Sequence, residues 1–106
     1  MFCDMKNDLE NPTVRKLVSA SAYDQSIEAT DKRIEEFRRR EDLYLYGWLE
    51  NDEILGICGI EVHSNNVVIR SITVEPDVRK RGIGKAMITA VQKNIKRPLQ
   101  LDNTLK

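Results

Sequence analysis

The chain has 106 residues and a mass of 12.2 kDa, enough for one domain with a modest core and no second domain. Apolar residues make up 41% and charged residues 32%, which excludes a disordered tail, and no run approaches the roughly 20 apolar residues of a membrane-spanning helix. The formal charge is zero, yet residues 1–53 carry 8 Lys/Arg against 13 Asp/Glu and residues 54–106 carry 9 against 4, a net −5 facing a net +5. Such a field suggests an anionic ligand on the second half, although acids on solvated helix faces would produce the same asymmetry.

Residues 1–12 are polar, hold no signal-peptide core, and read as a loose lead-in ending at Asn11 and Pro12. Residues 13–19 alternate Val14, Lys16 and Val18 against Arg15 and Leu17, the pattern of a short strand. Residues 21–40 lack Gly and Pro and carry Ala22, Ile27, Ala29, Ile34 and Phe37 at helical spacings. They predict one helix or two short ones, capped by Ser21 or Asp24. Aromatic and aliphatic residues at 43–50, the run at 54–62 and the β-branched run at 67–74 predict three strands. Turn residues at Asn51, Asp52 and 64–66 join them into an antiparallel meander, which ends at Glu75, Pro76 and Asp77.

From Gly82 to about residue 96, Ile83, Met87, Val91 and Ile95 form a helical stripe beside Ala86 and Ala90, and Pro98 stops the helix. Residues 99–102 begin a further strand, parallel to 67–74 because a helical crossover joins them. The expected fold is therefore a single α/β (α+β mixed) domain over residues 1–106, a mostly antiparallel mixed sheet flanked by helices in the order β-α-β-β-β-α-β. Cys3 and Cys58 are too few for a disulfide framework and lack metal-ligand spacing, which points to free thiols, a reducing cytoplasm and no metal. The only histidine, His63, falls at a hairpin turn and reads as a surface residue.

Between the best strand and the best helix lies RKRGIGK: Arg79, Lys80, Arg81, Gly82, Ile83, Gly84 and Lys85. A helix start already carries partial positive charge, so four cations there have the wrong sign for helix stability, at about 0.3–1 kcal/mol each. The arrangement makes sense if an anion sits at that end, where Gly82 and Gly84 leave the backbone amides accessible to a phosphate. A solvated basic turn is the bland alternative. Lys93, Lys96 and Arg97 near the helix end match the dipole and need no function. A P-loop fails because Ala86 follows Lys85 and Arg79 stands where the first Gly belongs; a dinucleotide fingerprint fails at Met87. A compact cluster without a nearby aromatic in a neutral domain argues against nucleic acid.

The remaining pattern is R-x-x-G-x-G, from Arg79 through Gly82 to Gly84, directly after Ile72, Thr73, Val74, Glu75 and Pro76. Here the sequence resembles the GNAT superfamily, the Gcn5-related N-acetyltransferases, diffusely over residues 13–103 and specifically over 67–91. The resemblance implies a cofactor-binding strand, loop and helix over 67–97 that takes acetyl-coenzyme A. Arg79, Arg81, Gly82, Gly84 and Lys85 would hold the pyrophosphate, with Lys80 and Ile83 in the same loop. The backbone of Ile72, Thr73 and Val74 would bind the pantetheine arm in the gap between that strand and residues 99–102. An amine would then attack the thioester directly, with an amide of that strand stabilising the oxyanion.

The general base is open. Strand 67–74 holds no carboxylate, which leaves Glu75 at its end and Glu61 on its neighbour as candidates, each also readable as an exposed strand residue. The family usually continues with a further helix and strands, and that helix often supplies a tyrosine as general acid; Tyr23, Tyr44 and Tyr46 match no such position. With residues 99–102 as an edge strand, a homodimer completing the sheet is one expected outcome. Two readings follow: an N-acetyltransferase acting on a small-molecule or protein amine, or a coenzyme A-binding module of the same fold without turnover. The acidic first half would suit a cationic acceptor such as a polyamine, an aminoglycoside, a protein N-terminus or a lysine. Neither reading involves a membrane.

Overall fold

The strand at 53–62 forms the middle of the sheet, with the aromatic run on one side and the β-branched run on the other. The computed structural model describes residues 1–95 and the backbone of residues 99–101. Strand β1 is Phe2–Asp4, helix α1 Pro12–Ala20, helix α2 Ile27–Arg39, β2 Leu43–Glu50, β3 Glu53–Val62 and β4 Val67–Val74; a 3-10 turn, Pro76–Arg81, leads into α3, Ile83–Asn94, and β5 is Leu99–Leu101. The five strands lie in the order β1-β2-β3-β4-β5. The first four are antiparallel, and β5 runs parallel to β4 through Val67↔Leu99, Val68↔Gln100 and Ile69↔Leu101, as the crossover requires. Lys96, Arg97 and Asp102, placed by sequence in the helix end and the last strand, lie outside the described residues. No described helix is long and apolar enough to cross a membrane.

Two expectations fail in the first twenty residues. Residues 13–19 are helix, not strand: the Asn11 side chain accepts from the amides of Thr13 (2.9 Å) and Val14 (3.4 Å), and Pro12 takes the first helical position. Val14, Leu17 and Val18 are buried, while Lys16, the middle of the apparent alternation, is exposed. The governing period is thus 3.6, and each of those three side chains contributes roughly 1.5–3 kcal/mol of burial. Residues 1–12 are not a loose lead-in either. β1 pairs with β2 (Phe2↔Trp48, Cys3↔Gly47, Asp4↔Tyr46), and Met5 and Leu9 enter the core.

In the second helical stretch Ser26 caps α2 through the Ala29 amide (3.1 Å), in place of Ser21 or Asp24; Asp24 accepts from the Ser26 amide (2.9 Å), and that bond lowers its pKa. The observed order is β-α-α-β-β-β-α-β: the first strand is Phe2–Asp4, the stretch expected to be a strand adds a helix, and the elements from residue 43 onward follow the expected order.

Asn51 and Asp52, both at positive φ (51° and 64°), make the two-residue hairpin turn between β2 and β3. Two apolar layers flank the sheet. Leu17, Val18, Ile34, Phe37, Leu45 and Ile57 pack under α1 and α2; Ile60, Ile69, Ile83, Met87 and Val91 pack under α3. One irregularity matters for the site. Gly59 pairs with Ser71 and Ile60 with Ile69, so Arg70 is an extra residue, a β-bulge, in β4.

Candidate active site

The end of β4, the 3-10 turn and the start of α3 form one continuous feature. Gly82 adopts a left-handed conformation (φ 78°, ψ 19°) that lets the chain turn from Arg81 into α3. The first helical bond runs from the Ala86 amide to the Gly82 carbonyl (3.0 Å); no side chain caps the helix and no acid lies in its first turn. The amides ahead of that bond therefore point out of the helix start with its partial positive charge. Ile83 is buried and anchors the helix, whereas Arg79, Lys80, Arg81 and Lys85 are exposed around it.

Two of these cations are engaged. Arg79 Nε donates to the Val74 carbonyl (3.1 Å), and Arg81 pairs with Glu50 at the end of β2. Glu50 also accepts from Trp48 Nε1 (3.3 Å); the Arg81 bond first, then the Trp48 bond, holds its pKa below the ordinary carboxylate range. Among the described residues Lys80 and Lys85 have no ion pair within 4 Å, so the loop keeps a positive surplus.

β4 presents two different sides to chemistry. The Glu75 amide donates to the Leu55 carbonyl (2.8 Å) and Thr73 pairs with Ile57, so the backbone polar groups of Thr73 and Glu75 face β3. Those of Ile72 and Val74 face the opposite edge by alternation. The described ladder to β5 stops at Ile69, leaving that edge of Ile72 and Val74 beyond it. The cofactor residues named from sequence thus adjoin one another: uncapped amides, a cationic rim, then a strand edge from Val74 towards Ser71 that no described strand pairs. This set suits a diphosphate attached to an amide-bearing arm. A β-carbon at position 84 would contact Ile72 Cδ1 and Val74 Cγ2 at 3.8 Å, so the helix start and the strand edge adjoin.

On the α1/α2 face, a cleft of about 440 Å³ reaches β4 at Ser71. Val18, Phe37 and Leu43 give it an apolar floor, and Arg33, Glu36, Arg40 and Arg70 its charged walls. Gly59 makes it possible: a β-carbon there would stand 2.6 Å from Ser71 Oγ and 2.7 Å from Phe37 Cζ. Sequence reasoning missed these wall residues. The available signal was Arg70, a lone charge inside a β-branched strand.

The two carboxylates named from sequence lie apart. Glu61 is buried; its Oε1 accepts from Arg70 Nη1 (2.7 Å) and Arg40 Nη2 (3.2 Å), and its Oε2 lies 2.6 Å from His63 Nε2. His63 is at the hairpin turn and 43% exposed, a surface residue that nonetheless touches this cluster. Arg40 also grips Asp42 through two bonds (3.0 and 2.7 Å), which lowers the Asp42 pKa. Glu75 sits beyond Val74 with Oε1 2.7 Å from Lys16 Nζ, on a separate depression between α1 and the β3 start. Neither carboxylate lines the cleft at Ser71. Both cysteines are free, and burial pushes the Cys58 thiol up to about 12, which removes it as a nucleophile.

Known proteins share this fold. The family described as Acetyltransferase (GNAT) family matches residues 10–104. An uncharacterised N-acetyltransferase in the lysA 3′ region of Bacillus methanolicus is 30% identical over 77 residues, 72% of this chain and 64% of the relative, so the chain spans just under two thirds of that protein's length. Among solved structures, the aminoglycoside N-acetyltransferase AAC(6′)-Iy in complex with CoA superposes with a TM-score of 0.79 at 22% identity, over 98% of this chain and 76% of that one. A possible acetyltransferase from Clostridium difficile 630 reaches 0.81 at 12% identity, over 96% and 78%. At such identities the structural likeness is one of fold. The family match covers nearly the whole described chain, including the loop at Arg79 to Lys85 and the strand before it, and on that match the chain belongs to the GNAT family of acetyltransferases.

Proposed function

We propose that the chain transfers an acetyl group from acetyl-coenzyme A to an amine. The observation that carries this reading is the uncapped, cation-rimmed start of α3 adjoining the backbone edge of Ile72 and Val74, which no described strand pairs. Bound acetyl-coenzyme A supplies an acetyl thioester. The amides at Ile83, Gly84 and Lys85, with the side chains of Arg79, Lys80, Arg81 and Lys85, hold its diphosphate. The Val74 carbonyl, which accepts from Arg79 in the free chain, takes an amide of the arm and releases that guanidinium to the phosphates.

An arm held along this edge from the start of α3 would meet Val74 before Ile72, with Ser71 and the cleft next along the strand. The acceptor nitrogen forms a bond to the acetyl carbon there, the carbon–sulfur bond breaks, and the departing sulfur takes up the proton that the amine gives to water. A backbone amide of β4 stabilises the charge on the carbonyl oxygen. Glu61 and Glu75 act as holding groups for Arg40, Arg70 and Lys16, not as the base. The acidic limb of the kcat/KM pH profile should then be unmoved in Glu75→Gln; a shifted limb would make Glu75 the base.

Calorimetric titration with coenzyme A tests the cradle. Saturable binding is expected, and no heat together with no thermal stabilisation at millimolar ligand refutes it. A coenzyme A-binding module without turnover is the second reading, favoured by the ion pairs that occupy both candidate bases. Thiol release from acetyl-coenzyme A over a panel of amines separates the two. The homodimer expected from sequence would join at the outer edge of β5, the last strand of the described sheet, and sedimentation equilibrium tests it.

A further inference from the structure

The inference rests on the acyl-transfer reading and concerns its second substrate. The cleft at Ser71 does not carry the acidity of the chain's first half. Those acids are spent on the outer helix surfaces: Glu10 pairs with Arg15 and Arg38, Asp31 with Arg15, and Glu35 with Arg38. The cleft walls instead hold three guanidiniums, Arg33, Arg40 and Arg70, against one carboxylate, Glu36.

These guanidiniums are held in place. Glu61, 9% exposed and absent from the cleft lining, accepts from both Arg40 and Arg70 on one oxygen, and Asp42 takes the Nε edge of Arg40. Alternation after Ile69 turns Arg70 to this wall, and the bulge keeps Ser71 on the same side beside it. Arg33 donates to the Asp24 carbonyl (3.0 Å) and has no carboxylate within 4 Å among the described residues. Glu36 is half exposed and stands 3.9 Å from Arg40 Nη1. Planar donors fixed by carboxylates behind them form a receptor for an oxyanion and a poor host for a polycation.

We propose that the acceptor is a small amine bearing a carboxylate or phosphate, and that Arg33, Arg40 and Arg70 bind that anionic group while its amine reaches the thioester beside Ser71. This proposal departs from the cationic acceptor suggested by composition, because most of the paired acids of the first half lie on outer helix surfaces, while Glu36 and Asp42, the ones at the cleft, lie against Arg40.

The test begins with the chain saturated by coenzyme A. Glutarate and inorganic phosphate are titrated separately while the arginine Nε–H resonances are followed by NMR. Saturable shifts at Arg33 and Arg70 are expected with at least one probe, weakened about tenfold in Arg33→Gln, the order for losing one charge-assisted hydrogen bond. Whichever probe binds distinguishes carboxylate from phosphate.

Thiol release from acetyl-coenzyme A then compares 4-aminobutyrate with its amide and with 1,4-diaminobutane, and 2-aminoethyl phosphate with ethanolamine. The anionic member of each set should have kcat/KM at least tenfold higher. Coenzyme A binding without any anion at the cleft arginines overturns the proposal and leaves acyl transfer standing, as does equal or better turnover of the neutral and cationic amines. Failure of coenzyme A itself to bind overturns both.

Discussion

Gly84→Glu separates ligand logic from folding logic at the α3 start because the two predict opposite signs. Gly84 is the second residue of α3, and its missing β-carbon would make only ordinary 3.8 Å contacts with Ile72 and Val74, so a side chain enters without displacing backbone. In the free chain the change removes a helical glycine, about 0.5 kcal/mol in favour of the folded state. It also places a carboxylate against a helix start that has no acid and no cap, about 0.3–1 kcal/mol more. The sum is about 1 kcal/mol of stabilisation, a rise in Tm of roughly 4–8 °C for a domain of this size.

Coenzyme A binding should move the other way. The carboxylate occupies the space of the diphosphate and repels it, and two charge-assisted hydrogen bonds lost at about 1.5 kcal/mol each amount to a loss of over 100-fold. Thermal unfolding of the free protein and calorimetric titration read the two halves independently. Wild-type affinity in the variant would refute the cradle. A variant destabilised by more than 1 kcal/mol would refute the claim that this helix start lacks electrostatic compensation.

Gly82→Ala should lower Tm by roughly 5–10 °C, since φ 78° costs a β-carbon about 1–2 kcal/mol and open space around the position offers no compensating contact; Gly82→Asn should lose less. Glu50→Gln removes the carboxylate that competes for Arg81, so coenzyme A affinity at neutral pH should rise about threefold, the scale of an exposed ion pair. Because the folded pKa of Glu50 lies below its usual 4.5, its contribution to stability is present above that value and lost as pH falls through the folded one. The wild type should therefore lose more stability than Glu50→Gln between pH 5 and pH 3, measured by urea unfolding. Iodoacetamide at pH 8 should alkylate the half-buried Cys3 and spare Cys58 until the fold opens, a pattern read by peptide mass mapping.

Local signals carried the second half of the chain. The strand 67–74 and the helix stripe from Ile83 to Val91 appear as read, because β-branched residues and a 3.6-period face leave few alternatives. The R-x-x-G-x-G spacing marked the loop proposed to hold the diphosphate, and that loop lies at the start of α3. The first half was harder for identifiable reasons. Val14, Lys16 and Val18 alternate by chance inside a helix, and the decisive features were the Asn11 cap, the Pro12 start and the burial of Leu17. Phe2–Asp4 is too short to show a period and is a strand only because β2 offers it an edge. The cleft walls were illegible in principle, since Arg33, Arg40 and Arg70 converge from α2, its C-cap and β4, and only the tertiary fold brings them together.

The bulge at Arg70 ties the proposed cofactor path to the acceptor cleft. With side chains alternating at period two, an uninterrupted β4 would turn Ser71 and Thr73 towards the α3 side and Ile72 and Val74 towards the α1/α2 side. The extra residue resets the pattern after Ile69. Val67 and Ile69 pack under α3 before it, and Ile72 and Val74 pack there after it. Ser71 is thereby left facing Phe37 on the cleft floor, with Arg70 on the wall beside it. The bulge follows directly on Ile69, the last residue of β4 in the described pairing with β5. Deleting Arg70 would make Ile69–Ile60 and Ser71–Gly59 consecutive pairs and leave both halves of the strand facing as they do, so the deletion should remove the guanidinium from the cleft wall and spare the path along Ile72 and Val74. The register on either side of the bulge therefore sets which faces Ser71 and Ile72 take, and the inserted residue contributes the charge beside them.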